Sequence, residues 1–111
     1  MDVWCGLYRL APGKDLDEYI AWNDIAAKEV RELIPTIRQN WQMYVIEETS
    51  GPGAAPVWTL LETIELEDWR QWLPAWQGHP RLTEIWDEFV SWIDVESLRV
   101  VNGRKVYGHN F

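Results

Sequence analysis

The sequence has a single cysteine, and nothing at its start resembles a targeting signal. Cys5 cannot form an internal disulfide, which fits a reducing compartment. The opening residues MDVW lack the basic segment and the long apolar run of a secretory signal. No apolar run anywhere reaches membrane-spanning length. We therefore expect a cytoplasmic protein that does not use a membrane as a partner.

Basic residues and metal-ligand patterns are also scarce. Ten Lys and Arg face 18 Asp and Glu, so the net charge is −8, and no basic stripe exists to bind a nucleic acid backbone. The two histidines are far apart in the sequence, which argues against a dedicated zinc or iron site. Neither a glycine-rich phosphate or dinucleotide fingerprint nor a G-x-S-x-G elbow is present. We expect no nucleic acid, no metal and no cofactor.

Tryptophan is the residue in excess. There are nine tryptophans among 111 residues but only two phenylalanines. Tryptophan offers a large flat surface with one N–H donor. It therefore suits either a tightly packed small core or a cavity with aromatic walls for a flat ligand. The positions predicted to lie on core faces, and so to serve packing, are Trp41, Trp69, Trp72, Trp76 and Trp86.

Hydrophobic periodicity predicts one α+β domain over residues 1–111. Strands are predicted over 2–10, 36–48, 57–65 and 94–107, with a bend or short hairpin at Asn102–Gly103. Helices are predicted over 12–34, 67–77 and 81–93, and Pro74 predicts a kink or an early end in the second. The order β-α-β-β-α(α)-β is the ferredoxin-like pattern with a four-stranded antiparallel sheet. Its uncovered sheet face favours a homodimer that closes an α+β barrel.

Three stretches of the sequence resemble the RedY/HapK family. They are LAPGKDLDEYIAWN, VWTLLETIELEDW and HPRLTEIWDEFVSWID, and the resemblance spans roughly residues 3–101. It rests on an acidic-aromatic first helix (Asp17, Tyr19, Trp22), a glutamate in the third strand and aromatic-rich later helices. The resemblance implies a small dimeric α+β barrel without a cofactor. It also implies a role in steering the cyclisation of a reactive bisindole or pyrrole intermediate in secondary metabolism.

His79 is the first candidate for acid–base chemistry. It lies in a Gly-His-Pro break between two helices, and an unperturbed histidine titrates near neutral pH. As a general acid or base it would move a proton on an indole nitrogen or carbon during ring closure. The alternative is that His79 caps the helix that follows.

Glu62 is the second candidate, because it interrupts an otherwise apolar strand face formed by Trp58, Leu60 and Ile64. Burial would raise the pKa of its carboxyl group, which suits proton transfer. The alternative is an ion pair with Arg99 or Arg38. A shift of one residue in the strand register would place Thr63 at the cavity instead.

Asn23 is the third candidate, because it lies in the middle of the apolar stripe of the first helix. A buried amide without partners costs about 1 kcal/mol or more, so Asn23 either ties down a neighbouring loop or faces a cavity.

Residues at element edges or on the open sheet face are candidates for binding an aromatic substrate. Arg38 and Asn40 would orient a polar substituent or, alternatively, make hydrogen bonds across a dimer. Trp58 is included because it shares a strand face with Glu62. The candidates for the wall itself are Trp4, Tyr8, Trp22 and Tyr44.

Three functions are consistent with these features. The first is a cofactor-independent cyclase that acts on a bisindole or pyrrole-type intermediate. The second, taken from the wider superfamily, is a cofactor-free monooxygenase that activates an electron-rich aromatic anion toward oxygen. The third is a non-catalytic module that binds an unstable aromatic intermediate for a partner enzyme.

Overall fold

A computed structural model describes residues 1–35, 39–51 and 58–110. The elements are β1 (Asp2–Leu10), α1 (Leu16–Leu33), β2 (Gln39–Val45), β3 (Leu60–Leu66), α2 (Trp69–Gln77), α3 (Pro80–Trp92) and β4 (Ile93–Arg104). The strands form one antiparallel sheet in the order β2-β3-β1-β4. The predicted element order and four-stranded antiparallel sheet are confirmed.

Two predicted boundaries need correction. α1 begins at Leu16 rather than residue 12, because Asp15 is its N-cap and accepts a hydrogen bond from the Glu18 amide at 3.0 Å. The pairing of β4 with β1 is irregular between Asp94 and Arg99, but β4 then continues to Arg104, and Asn102 pairs with Trp4 of β1. The predicted bend or hairpin at Asn102–Gly103 was therefore wrong, because pairing with β1 keeps this segment extended.

α2 continues through Pro74 and ends at Gln77, so the proline does not end the helix early. The first part of the predicted second strand, with Arg38, and the start of the predicted third strand lie outside the described residues.

The helix-facing side of the sheet contains the core. Even-numbered positions of β1 and β3 are buried beneath the helices, among them Tyr8, Leu60 and Ile64. The sequence left open whether Glu62 or Thr63 faces the interior. The structure gives Glu62, which is 2% exposed. Because side chains alternate along a strand, this register fixes the inward residues of the whole strand.

Hydrogen bonds at the helix starts hold the helices over this face. The buried carboxylate of Asp2 in β1 accepts a hydrogen bond from the Trp69 amide at 2.9 Å, which ties the start of α2 to the sheet. Arg81 in the first turn of α3 makes two hydrogen bonds to Glu29 of α1, at 2.6 and 2.9 Å. These contacts fix the positions of α2 and α3, which carry much of the candidate site.

The opposite face of the sheet is more open. Val3, Cys5 and Leu7 of β1 are partly buried there, whereas Tyr44 and Val101 are 48% and 55% exposed.

Candidate functional site

A cavity of about 510 Å³ lies between the helix-facing side of the sheet and the helices. All seven elements contribute to its wall. Its volume falls within the range of about 300–1,000 Å³ that is typical of small-molecule sites. Seven of the nine tryptophans line it: Trp4, Trp22, Trp41, Trp69, Trp72, Trp76 and Trp86.

The tryptophans assigned to packing by the sequence all contribute to this wall. Trp72 is only 6% exposed and belongs to the core, yet it also lines the cavity. Its ring makes edge-to-face contacts with Trp41 and Trp76, at centroid distances of 6.2 and 5.6 Å. The same tryptophans therefore pack the core and line the cavity. Their high number was the sequence signal for this arrangement.

Glu62 lies in the wall of this aromatic cavity and is held by three donors. The indole N–H of Trp41 and the amide of Asn23 donate to Oε2, at 2.5 and 3.1 Å. The Tyr8 hydroxyl donates to Oε1 at 3.2 Å. Burial raises the pKa of Glu62, and these hydrogen bonds partly oppose the shift because they favour the charged form. Three hydrogen bonds thus fix the position of the carboxylate. Because its pKa is raised, a charged group bound in the cavity would change its protonation.

The ion pair considered as an alternative for Glu62 is not formed within the described part of the chain. The Arg99 guanidinium instead donates to the backbone oxygens of Glu96 and Leu98, at 3.1 and 2.8 Å. Arg38, the other proposed partner, lies outside the described residues.

A second hydroxyl extends the hydrogen bonding behind Glu62. The Tyr8 and Tyr19 oxygens are 2.6 Å apart, and both residues are fully buried. A phenol has one proton, so when Tyr8 donates to Glu62 it must accept from Tyr19. Burial and the nearby Glu62 carboxylate raise the pKa of both phenols above their ordinary value. The chain Tyr19–Tyr8–Glu62 therefore has a direction that depends on the charge of Glu62.

The sequence predicted that Tyr8 lies at an element edge or on the open sheet face, and this prediction was wrong. Its strand position faces the helices, so its ring is packed in the core against Tyr19 and Phe89. Within the described residues, the cavity wall does not include Tyr8.

Asn23 and Trp22 place adjacent α1 side chains at the cavity. Of the two alternatives for Asn23, the structure gives the cavity-facing one, and Glu62 satisfies its amide. The Trp22 ring stacks on Tyr19 at 5.9 Å, and its indole N–H donates to Glu88 Oε2 at 3.3 Å.

A family model described as REDY-like protein HapK matches residues 2–104. The chain belongs to this RedY-like family. The match confirms the resemblance carried by the three sequence stretches.

Two solved structures share the fold of this RedY-like chain. An Arabidopsis thaliana protein superposes with a TM-score of 0.71 at 14% identity, covering 99% of this chain and 100% of that one. A protein from Bacteroides fragilis, described as dimeric, of unknown function and with a ferredoxin-like fold, gives a TM-score of 0.56 at 14% identity. That match covers 91% of this chain and 92% of the other. The predicted ferredoxin-like architecture is confirmed. Comparison with curated proteins gave no match.

Several predicted site residues of the RedY-like chain do not reach the cavity. His79 is the N-cap of α3, where its Nδ1 accepts a hydrogen bond from the Arg81 amide at 3.2 Å. It is absent from the described cavity wall, so the helix-cap alternative is the one observed. The Trp58 indole donates to the Ser97 oxygen at 2.8 Å, away from Glu62.

The two described candidates on the outer sheet face are also far from the cavity side. Asn40 and Tyr44 of β2 are exposed and alternate with the inward-facing Trp41 and Met43. The structure therefore brings together Trp4, Trp22, Asn23 and Glu62, but leaves Asn40 and Tyr44 on the other side of the sheet.

The described ranges contain neither a metal-ligating cluster nor a membrane-spanning helix. Across residues 1–35, 39–51 and 58–110, no group of three or more His, Cys, Asp or Glu side chains is placed to hold a metal ion. No helix in these ranges is both long enough and apolar enough to cross a membrane.

Proposed function

We propose that this RedY-like protein binds a flat, electron-rich aromatic intermediate in its cavity and promotes ring closure with Glu62 as the proton acceptor. The observation that carries the proposal is the position of Glu62, a carboxylate buried in a wall that includes seven tryptophans. A buried acid with a raised pKa, next to a ligand-sized cavity, is a common arrangement for acid–base chemistry.

The reaction we propose is an isomerisation of a bisindole or pyrrole-type compound. A nucleophilic ring carbon attacks a carbon that is doubly bonded to nitrogen in the same molecule. A carbon–carbon bond forms while the carbon–nitrogen π bond breaks and its electron pair moves to the nitrogen. The attacking carbon then loses its proton to the Glu62 carboxylate, which restores the aromatic ring. Glu62 returns that proton to a nitrogen of the product, so atoms and charge balance and the product has unchanged mass. Where a hydroxyl leaves as water, the product is lighter by one water.

The neighbours of Glu62 act on its position and its charge. Trp41, Asn23 and Tyr8 hold the carboxylate at a fixed place in the wall. The aromatic surfaces would hold the two reacting rings together and exclude water. Such orientation can lower a barrier by several kcal/mol. The proton transfer that we propose uses Glu62 alone, because His79 lies outside the described wall.

The experiment is to incubate the protein with bisindole and bipyrrole precursors, with and without oxygen, and to measure product mass. Ring closure predicts a product of equal mass, or lighter by one water, that forms at the same rate without oxygen. A product that gains oxygen would instead identify a monooxygenase. Tight binding without any product beyond the protein-free rate would identify a binding module.

We also propose that two copies pair through the open sheet face. An apolar patch on that face is formed by the exposed Tyr44 and Val101 and the partly buried Val3, Cys5 and Leu7. The polar Asn40 and Gln42 of β2 share the face. A structure with the same fold is described as dimeric, which is in keeping with this pairing. Light scattering after size-exclusion chromatography should give twice the monomer mass, and Val101→Glu should shift it toward the monomer.

The free Cys5 thiol is consistent with the cytoplasmic location we propose.

A further inference from the structure

The one ionisable side chain in the described wall of the cavity is an acid. Among the described lining residues, Glu62 is the one ionisable side chain, and no Lys, Arg or His contributes. The other polar lining residues are neutral: Asn23, Gln77, Thr83 and Asn102. The faces of the seven indoles carry negative electrostatic potential, and indole is the best of the aromatic side chains at attracting a cation.

Two of these indoles donate their N–H groups to carboxylates. Trp41 donates to Glu62 and Trp22 donates to Glu88. Donation to an anion increases the electron density of the ring. It also occupies the electropositive N–H edge of each indole, so that this edge is not available to attract an anion. Both effects make the wall more attractive to positive charge.

Two arginines on the helices of the wall, Arg70 and Arg81, are each paired with carboxylates. Arg81 is engaged by three carboxylates, Glu29, Glu84 and Glu88, at 2.6, 3.1 and 3.2 Å. Arg70 lies over the ring of Trp69, with its guanidinium carbon 5.2 Å from the centroid. Trp69 is a lining residue, so one indole of this wall already accepts a cation on its face.

We propose that the cavity selects planar aromatic ligands that carry a positive charge, bound between the indole faces and the Glu62 carboxylate. This inference rests on the proposed function and assigns the charge of the species that the cavity holds best. An anion would have to share a desolvated site with Glu62 with no cation to offset it. A neutral ring would gain only the burial of its surface.

The charge preference has a direct chemical meaning for ring closure. When a ring carbon attacks an iminium carbon, the carbon–nitrogen π pair moves to the nitrogen, and the positive charge passes to the attacking ring system until that ring loses its proton. Both the reactant and the intermediate before proton loss therefore carry a delocalised positive charge. A cation also favours the ionised form of Glu62, which is the form that accepts the proton.

The test compares three bicyclic probes of similar size: N-methylquinolinium, 1-methylnaphthalene and 1-naphthoate. Binding is measured by calorimetry, or by equilibrium dialysis for the poorly soluble hydrocarbon. We expect the cation to bind about tenfold more tightly than the neutral hydrocarbon, and the anion to bind weakest. Equal affinity for cation and hydrocarbon, or a preference for naphthoate, would overturn the charge selection.

Variants then locate the preference. Glu62→Gln should remove most of the cation's advantage over 1-methylnaphthalene, and cooperative urea unfolding of the variant shows that it is folded. Glu67→Gln removes an exposed acid just after β3 and should leave the advantage intact. If Glu67→Gln lost as much of the cation's advantage as Glu62→Gln, the preference would come from the net charge of the protein, and a binding site at Glu62 would be contradicted. Trp86→Leu, at a 39% exposed position of the wall, should weaken binding of the cation more than binding of the hydrocarbon.

The outcomes separate this inference from the function on which it rests. If the hydrocarbon binds and the cation has no advantage, the aromatic cavity stands and the charge selection fails. If no probe binds, both fail.

Discussion

The indole of Trp4 lies directly over Gly6 on the inner face of β1. A Cβ atom at position 6 would be 2.7 Å from Trp4 Cη2, which is too close for a Cβ contact, and 3.0 Å from Cζ3. Trp4 lines the cavity, and Gly6 pairs with Glu62 across the sheet. The missing side chain at position 6 thus leaves room for the Trp4 indole against the strand, at the position that pairs with Glu62.

Gly6→Ala is expected to push the Trp4 ring away from the sheet and toward the cavity. We expect a loss of about 1–3 kcal/mol in the free energy of unfolding, as in other overpacked sites, and weaker binding of bicyclic ligands. Gly103→Ala is the matched control, because its Cβ would meet Val3 at an ordinary 3.8 Å. Adding Trp4→Leu to Gly6→Ala should remove the clash. Strict additivity of the two changes in urea unfolding would show that the ring does not restrict position 6.

Tyr8→Phe should lower the stability of the protein and raise the pKa of Glu62. The substitution leaves Tyr19 without the hydroxyl that it contacts at 2.6 Å and removes one donor from the carboxylate. We expect a loss of about 1–3 kcal/mol in unfolding free energy and a higher pKa for Glu62. Tyr44→Phe, which removes an exposed hydroxyl, should change stability by less than about 0.5 kcal/mol. Equal effects of the two variants would argue against the buried chain.

Stability should depend on pH through Glu62. Its pKa is raised in the folded state, so the folded protein binds more protons than the unfolded chain between the ordinary and the raised value. Its contribution to stability is therefore full at low pH and is lost as pH rises through the folded-state pKa. The buried Tyr8 and Tyr19 stay neutral there, because their pKa values are also raised.

Glu62→Gln should remove this pH dependence. The glutamine oxygen can accept from Trp41 and Asn23, while its amide donates to Tyr8 and the tyrosine chain reverses. Urea unfolding at a series of pH values should show the variant gaining stability relative to the wild type as pH rises above about 4.5. A difference that stays constant with pH would mean that the pKa of Glu62 is not raised.

His79 offers a test of a helix cap against a catalytic group. His79→Ala removes the acceptor for the Arg81 amide and should cost about 1 kcal/mol of stability. His79→Asn supplies another good N-cap, so it should restore stability and keep full turnover. Stability restored together with lost turnover would assign proton transfer to His79 and contradict the mechanism proposed here.

The sequence predicted the element order because periodicity and breakers are local signals. Pro35, Gly78 and the alternation in β1 and β3 set most boundaries without reference to the rest of the chain. The side of the sheet that each strand residue faces is not local. Tyr8 was assigned to the wrong environment for this reason, and the choice between Glu62 and Thr63 stayed open.

The site depended still more on distant contacts. Glu62 meets Tyr8 and Asn23 across separations of 54 and 39 residues, and no spacing in the sequence encodes such contacts. Chemical type did point to residues that the structure brings together. A carboxylate in an apolar strand, an amide in an apolar helix stripe and a large excess of tryptophan all proved to be parts of one cavity wall.

The most direct test of the central claim is the rate of product formation by Glu62→Gln. The rate is measured by mass spectrometry on the precursor that the wild type converts, after subtraction of the protein-free rate, with Glu67→Gln as the control. If Glu62 accepts the proton, Glu62→Gln should lower the rate by about 100-fold or more, while the control keeps the wild-type rate. Wild-type turnover by a folded Glu62→Gln protein would contradict the account.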